Sequence, residues 1–303
     1  NVFGMAVAIQ QLYEDAGFPK NVYQSLLIDG GTASDLIKHK YVRGVTFTGS
    51  DEVGKQVAKE AASLSKKTVM ELGSNDAFIV LADADIDHAV EMCIQGRVIN
   101  NGETCVAAKR FVVVDSVYDE FKDKFIAQCK KLKVGDPTNE NTDLGPMARK
   151  DLRDELHEQV KESIDKGATL SLGGEIPDDG GYLYPITVLE DVSPGMPAYD
   201  DELFGPVASL IRARDDKQAM EVANDSRYGL GGGIFSSDTD NAIDLAKNEF
   251  DTGMVNINGY SLAQPNLPFG GVKDSGYGRE HGGYGMREFV NIKTIMVAEK
   301  QAE

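Results

Sequence analysis

The 303-residue chain is 41% hydrophobic and 26% charged, the balance of a globular protein with room for about two domains. Its 49 Asp and Glu outweigh 31 Lys and Arg, and the net charge of −18 argues against nucleic acid or an acidic membrane as partner. Three scattered cysteines, four histidines without HExxH or CxxC spacing, and no apolar run of membrane length argue against a disulfide framework, a metal site or a span, and for a cytoplasmic α/β protein.

The chain opens inside an element. Met5, Ile9, Leu12, Tyr13 and Ala16 recur at helical spacing, and Gly17 and Pro19 stop the helix. No strand can lead into it and Asn1 is no initiator, so the N-terminus reads as incomplete. Residues 22–28 predict a strand, 32–39 a short helix, 42–47 a second strand, 51–64 a helix on Val53, Val57, Ala61 and Leu64, and 68–72 a third strand. Strands alternating with helices predict βαβ units and a parallel sheet. Three strands are too few for a doubly wound domain, and the remainder is expected before Asn1.

From Asp76 the pattern restarts. Residues 77–81 predict a strand, and Asp83-Ala84-Asp85 caps a helix with Ile86, Val90, Cys93 and Arg97 on one side. A strand at 110–114 precedes a helix at 117–132, in which Tyr118, Phe121, Phe125, Cys129 and Leu132 share a face. A charged helix follows at 149–166. Further strands are predicted at 187–189, 208–212, 233–235 and 254–257, with helices at 217–224 and 240–248 between them. A glycine-rich stretch runs from Pro268 to Gly285. Residues 293–298 form a last apolar strand, suited to pairing with a second copy.

Cys93 and Cys129 lie on apolar helix faces and read as core. That leaves Cys105, in the polar turn Asn100-Asn101-Gly102-Glu103-Thr104-Cys105 followed by Val106, Ala107 and Ala108, as the only thiol in a loop. Small neighbours leave room for a substrate at the sulfur. Thr48-Gly49-Ser50 joins a strand end to a helix start, where backbone N–H groups favour an anion, although Ser50 could equally be a simple cap. Glu71 stands at the carboxyl end of a strand among apolar neighbours, a setting that raises a carboxyl pKa toward general-base use. Glu202-Leu203-Phe204-Gly205-Pro206 combines an acid, an aromatic ring and a rigid turn.

Taken together and in order, Phe47-Thr48-Gly49-Ser50 through Gly54, Glu71-Leu72-Gly73, the Cys105 turn, Glu202 to Val207, and Pro268-Phe269-Gly270-Gly271 leading to Lys273-x-Ser275-Gly276-x-Gly278-Arg279-Glu280 resemble the aldehyde dehydrogenase superfamily across the whole chain. The resemblance implies a partial Rossmann-like cofactor domain (1–73), a second α/β catalytic domain (74–274), and a C-terminal return to the cofactor domain with an oligomerisation strand (275–303). It implies a small aldehyde as substrate, NAD or NADP as cofactor, a homodimer or homotetramer, and no metal. Cys105 is the implied nucleophile, forming a thiohemiacetal and then, after hydride transfer, a thioester that water activated by Glu71 hydrolyses. Thr48, Gly49, Ser50, Val53, Leu72, Gly73, Glu202 and Phe204 are implied to hold the cofactor, and the Cys105 N–H part of the oxyanion hole.

The chain departs from the family's pattern at Ser74, where a second glycine is usual, and at Glu103, where glutamine is usual. An extra carboxylate at Glu103 is expected to raise the thiol pKa. Within the superfamily the chain is most similar to bacterial succinate-semialdehyde dehydrogenases, through residues 145–157 and Asn256-x-Asn258-Gly259-Tyr260. Such a substrate needs a cation for its far carboxylate, with Arg97 and Arg110 as candidates and Phe269 beside the aldehyde. A cysteine-dependent hydrolase using one of the histidines, or an inactive structural relative, are the alternative readings.

Overall fold

Aspartates mark many of the helix starts. Asp29, Asp85, Asp215 and Asp238 each accept the backbone N–H of the third residue on, from Thr32, His88, Gln218 and Asn241. Each bond satisfies a donor that the first helical turn leaves free. The computed structural model describes residues 2–178 and 181–298.

In chain order the elements begin with α1 (Phe3–Asp15), α2 (Gly30–Lys38), β1 (Gly44–Thr48), α3 (Asp51–Ser63), β2 (Lys67–Glu71), β3 (Ala77–Val80) and α4 (Ile86–Val98). Next are β4 (Arg110–Val114), α5 (Asp115–Cys129), α6 (Lys150–Asp165), β5 (Thr169–Leu172), β6 (Thr187–Glu190), α7 (Pro197–Asp200) and β7 (Val207–Ala213). The chain continues through α8 (Asp216–Asn224), β8 (Tyr228–Gly229), β9 (Gly232–Phe235), α9 (Thr239–Asn248) and β10 (Asn256–Ile257). It closes with β11 (Val272–Lys273), β12 (Gly276–Tyr277) and α10 (Tyr284–Glu288).

Seven strands form the main sheet in the order β10-β9-β3-β4-β7-β6-β5, parallel except for the antiparallel edge strand β5. Side chains alternate across it. Ala77, Ile79, Val112 and Val114 meet α6, α8 and α9 through Leu156, Val160, Ala219, Met220 and Ala242. Phe78, Val80, Phe111 and Val113 meet α4 and α5 through Val90, Cys93, Phe121, Phe125 and Cys129. Helices cover both faces, which is why β3, and β4 after Arg110, are apolar instead of alternating with polar residues. Cys93 and Cys129 are core residues, as their helix faces require.

A three-stranded sheet, in the order β1-β2-β12, stands apart from the main one. β1 and β2 run parallel with Thr48 opposite Glu71, and β12 runs antiparallel with Gly276 also opposite Glu71. The five residues 72–76, all buried, carry the chain from β2 into β3.

Two expected strands are absent. Residues 22–28 are irregular, and Val22, Leu26, Leu27 and Ile28 are exposed. Residues 293–298 are likewise unpaired, with Ile295, Met296 and Val297 each at least 80% exposed. Both segments have the composition of strands, but a strand needs a neighbour to complete its hydrogen-bond ladder, and no described strand lies beside either. The predicted stripe of α1 is also uncovered, since no residue of that helix is buried.

Candidate active site

The turn before Cys105 is built by conformation. Asn100, Asn101 and Gly102 have φ of 48°, 57° and 75°, three successive left-handed residues that asparagine and glycine tolerate best. At Gly102 a Cβ would lie 2.5 Å from the Gly205 carbonyl oxygen and 2.6 Å from Arg97 Nη2, so no larger residue fits. Arg97, fully buried, donates to the carbonyls of Gly102 (2.8 Å) and Val207 (3.1 Å) and so ties this turn to the start of β7. Asn101 accepts from Gly145 N–H at 3.0 Å and donates to the Pro146 carbonyl at 2.9 Å, which ties it to the loop before α6.

Cys105 is half-buried, and its backbone carbonyl is gripped from within. The Ser74 hydroxyl donates to it, and Lys109 Nζ donates to it at 2.7 Å. Burial pushes the thiol up to about 11; the Lys109 ammonium pulls it down, and the Asp76 and Glu202 carboxylates add to the rise. The Glu103 carboxylate accepts the Ala148 N–H at 3.0 and 3.1 Å, and the charges that act most on the thiol are those of Lys109, Asp76 and Glu202.

Cys105 opens on a cleft of ≈ 650 Å³. Thr48, Gly49, Ser50, Leu72, Gly73, Glu202 and Phe204 line it with the cysteine, so seven of the eight expected cofactor residues converge there from three separate stretches of chain. Val53 does not; it lies one turn further along α3 and is 44% exposed. Ser50 occupies the N-cap position of α3 but makes no capping bond, which leaves the first-turn N–H groups for an incoming anion. A Cβ on Gly73 would stand 2.7 Å from Glu202 Oε2, so the wall there is bare backbone.

Glu71 sits behind Leu72 and Gly73. It is 3% exposed, and neither carboxyl oxygen has a hydrogen-bond partner. Burial pushes its pKa up to about 8, with Glu280 adding to the rise and Arg279 opposing it. Gly270 comes close enough that a Cβ would be 2.8 Å from Glu71 Oε1, and its φ of 149° lies where side chains are disfavoured. That approach is a physical reason for the paired glycines after Phe269.

Val106, next to the cysteine, lines a smaller cavity of ≈ 110 Å³ with Phe78, Asp76, Leu262 and Phe269. Phe269, expected beside the substrate, is among the residues that line it. The two arginines are not. Arg97 spends its terminal nitrogens on the carbonyls named above, and buried Arg110 donates to Asn75, Val222, Ala223 and Asp225 carbonyls. Both brace backbone, and neither lines either cavity.

Residues 2–295 match the aldehyde dehydrogenase family. The chain belongs to that family. It is 45% identical over 295 residues to the NAD(P)+ succinate semialdehyde dehydrogenase Sad of Escherichia coli K12, covering 97% of this chain and 64% of that protein. It is 42% identical over 302 residues to an NADP+ succinate-semialdehyde dehydrogenase of Mycobacterium avium, covering 100% and 64%. The crystal structure of succinic semialdehyde dehydrogenase from Streptococcus pyogenes in complex with NADP+ superposes with a TM-score of 0.94 at 39% identity, covering 97% of this chain and 64% of that one. The chain thus spans about two-thirds of the length of these relatives, 64% in each case.

Within this aldehyde dehydrogenase chain, the sequence marked Ser74 only as a departure from the family's pattern and gave Asp76 and Lys109 no place at the site. All three are buried beneath the cysteine turn. Asp76 accepts the Gly231 N–H at 3.0 Å, and burial lifts its pKa to about 6 against the pull of Lys109. The available signal was compositional: a lysine directly after Val106-Ala107-Ala108 and before the buried β4 has no path to solvent.

Proposed function

We propose that this chain carries the nucleophile, the base and one wall of the cofactor cleft of an NAD(P)-dependent oxidation of succinic semialdehyde to the dicarboxylic acid. One observation supports it above the rest: Cys105 shares a cleft with Gly49, Ser50, Glu202 and Phe204, while an unpartnered carboxyl, Glu71, lies directly behind that cleft's wall. The choice of aldehyde rests on the similarity to the succinate-semialdehyde dehydrogenases named above.

The residues fit a dinucleotide. The uncapped start of α3 would receive a phosphate, Glu202 would hold ribose hydroxyls, and Phe204 would press on a flat ring. When bound, NAD(P)+ supplies the hydride acceptor. Cys105 Sγ attacks the aldehyde carbon and forms a thiohemiacetal, whose oxygen the Cys105 N–H helps to hold. Glu71, once ionised, takes a proton from the water that cleaves the resulting thioester. An orphaned, desolvated carboxyl suits that task, because its proton affinity lies close to neutral pH. A hydrolase relying on a histidine is less well supported, since none of the four histidines lines the cleft. We further propose that residues 293–298 pair with a second copy in a homodimer or homotetramer.

The direct test gives the full-length protein succinic semialdehyde with NAD+ or NADP+ and follows reduced-nicotinamide absorbance. Turnover is expected with the native protein and is expected to vanish in Cys105→Ser. Full turnover in that variant would remove Cys105 from the mechanism.

A further inference from the structure

Lys109 is 2% exposed, and an ammonium so deeply buried survives only where its protons and its charge are both answered. Its three protons are answered mainly by the turn it underlies. Nζ lies 2.7 Å from the Cys105 carbonyl, 2.9 Å from Ser74 Oγ, and 3.3 Å from each of the Thr104 and Ala107 carbonyls. Its charge is answered from the opposite wall by Glu202 Oε1 at 3.2 Å. That contact is an ion pair, and Glu202 Oε1 has no hydrogen-bond partner.

We propose that Lys109 is a positioning residue, a buried cationic peg that fixes the Cys105 turn through three of its carbonyls and locks Glu202 of the cofactor wall to the same turn. The proposal rests on Cys105 being the nucleophile. One side chain then sets both the placement of the sulfur and the carboxylate that borders the cofactor. Ser74 completes the device: its hydroxyl accepts from Lys109 and donates to the same Cys105 carbonyl, which a glycine at that position could not do. Two features that stand apart in sequence, the serine after Gly73 and the lysine after Ala108, therefore form one unit.

The charges facing the sulfur are Lys109, Asp76 and Glu202, with the Tyr260 hydroxyl also within electrostatic reach. Lys109 is the only cation among them. Its loss leaves two carboxylates opposed to the thiolate, so the thiol should become harder to ionise.

The test measures the rate of Cys105 alkylation by iodoacetamide against pH in the full-length protein, with Cys105→Ser as blank. Lys109→Met keeps the stem and removes the charge. It is expected to slow alkylation about tenfold at fixed pH, the effect of one unit of thiol pKa, and to weaken NADP+ in a calorimetric titration. Ser74→Ala, a small change that leaves the fold intact, is expected to move the profile the same way by less, and it carries the test if Lys109→Met does not fold. Profiles and NADP+ affinity that superpose on the native protein in a folded Lys109→Met, or in Ser74→Ala when the first variant is unfolded, would overturn the proposal. Alkylation reads the thiol without aldehyde turnover, so failure here is distinct from failure of Cys105 as nucleophile, which Cys105→Ser reports through turnover.

Discussion

At the scale of single residues, Glu71 has the most consequential setting. An acid whose folded pKa is raised above its unfolded value contributes stability in the protonated form, and that contribution is lost as pH climbs through the folded value, here about 8 against 4.5. Glu71→Gln should therefore match the native protein in Tm at pH 5 and exceed it by about 2 °C at pH 9, read by scanning calorimetry. The same substitution should lower kcat by about 10²–10⁴-fold and flatten the rising limb of the kcat–pH profile near pH 8. A variant with normal turnover would show that another group activates the water. The apolar neighbours of Glu71 made this setting legible in sequence, because Val69, Met70 and Leu72 predict desolvation. Arg97, offered as a cation for the substrate's far carboxylate, was less legible, because its acceptors, the carbonyls of Gly102 and Val207, come from backbone that no pattern announces.

At the scale of elements, β4 was legible to the residue, since Arg110–Val114 is bounded by a turn and a helix cap and buried on both faces. The short strands β8, β11 and β12 were not, because two residues carry no period. Residues 22–28 show the converse, a strand composition without a partner. The Asn100–Gly102 turn is where element and function meet. Gly102→Ala forces a side chain into a left-handed site already touching Gly205 and Arg97. It should cost about 3 kcal/mol in urea unfolding and reduce turnover through displacement of Cys105. Unchanged stability would show that the turn can open without penalty.

At the scale of the whole molecule, the covered and uncovered surfaces divide cleanly. The inner strands β3, β4 and β9 are buried throughout, whereas α1, residues 22–28 and residues 284–297 expose Met5, Leu12, Leu27, Tyr284, Ile295 and Val297. Apolar patches of this kind mark contact surfaces. If residues 293–298 pair with a second copy, Ile295→Lys should shift the full-length protein to a smaller species in sedimentation velocity while leaving its circular dichroism unchanged; an unaltered sedimentation coefficient would count against that pairing. The three-stranded sheet carries a consequence of another kind. β2, which bears Glu71, takes one neighbour from upstream in β1 and the other from far downstream in β12, and Gly270 presses on the carboxyl only after the downstream segment has folded back. A ribosome makes these pieces in order. The cysteine turn and the main sheet draw on strands that end at Ile257, whereas Glu71 stays on an open edge until residues 276 and 277 have emerged to pair with β2.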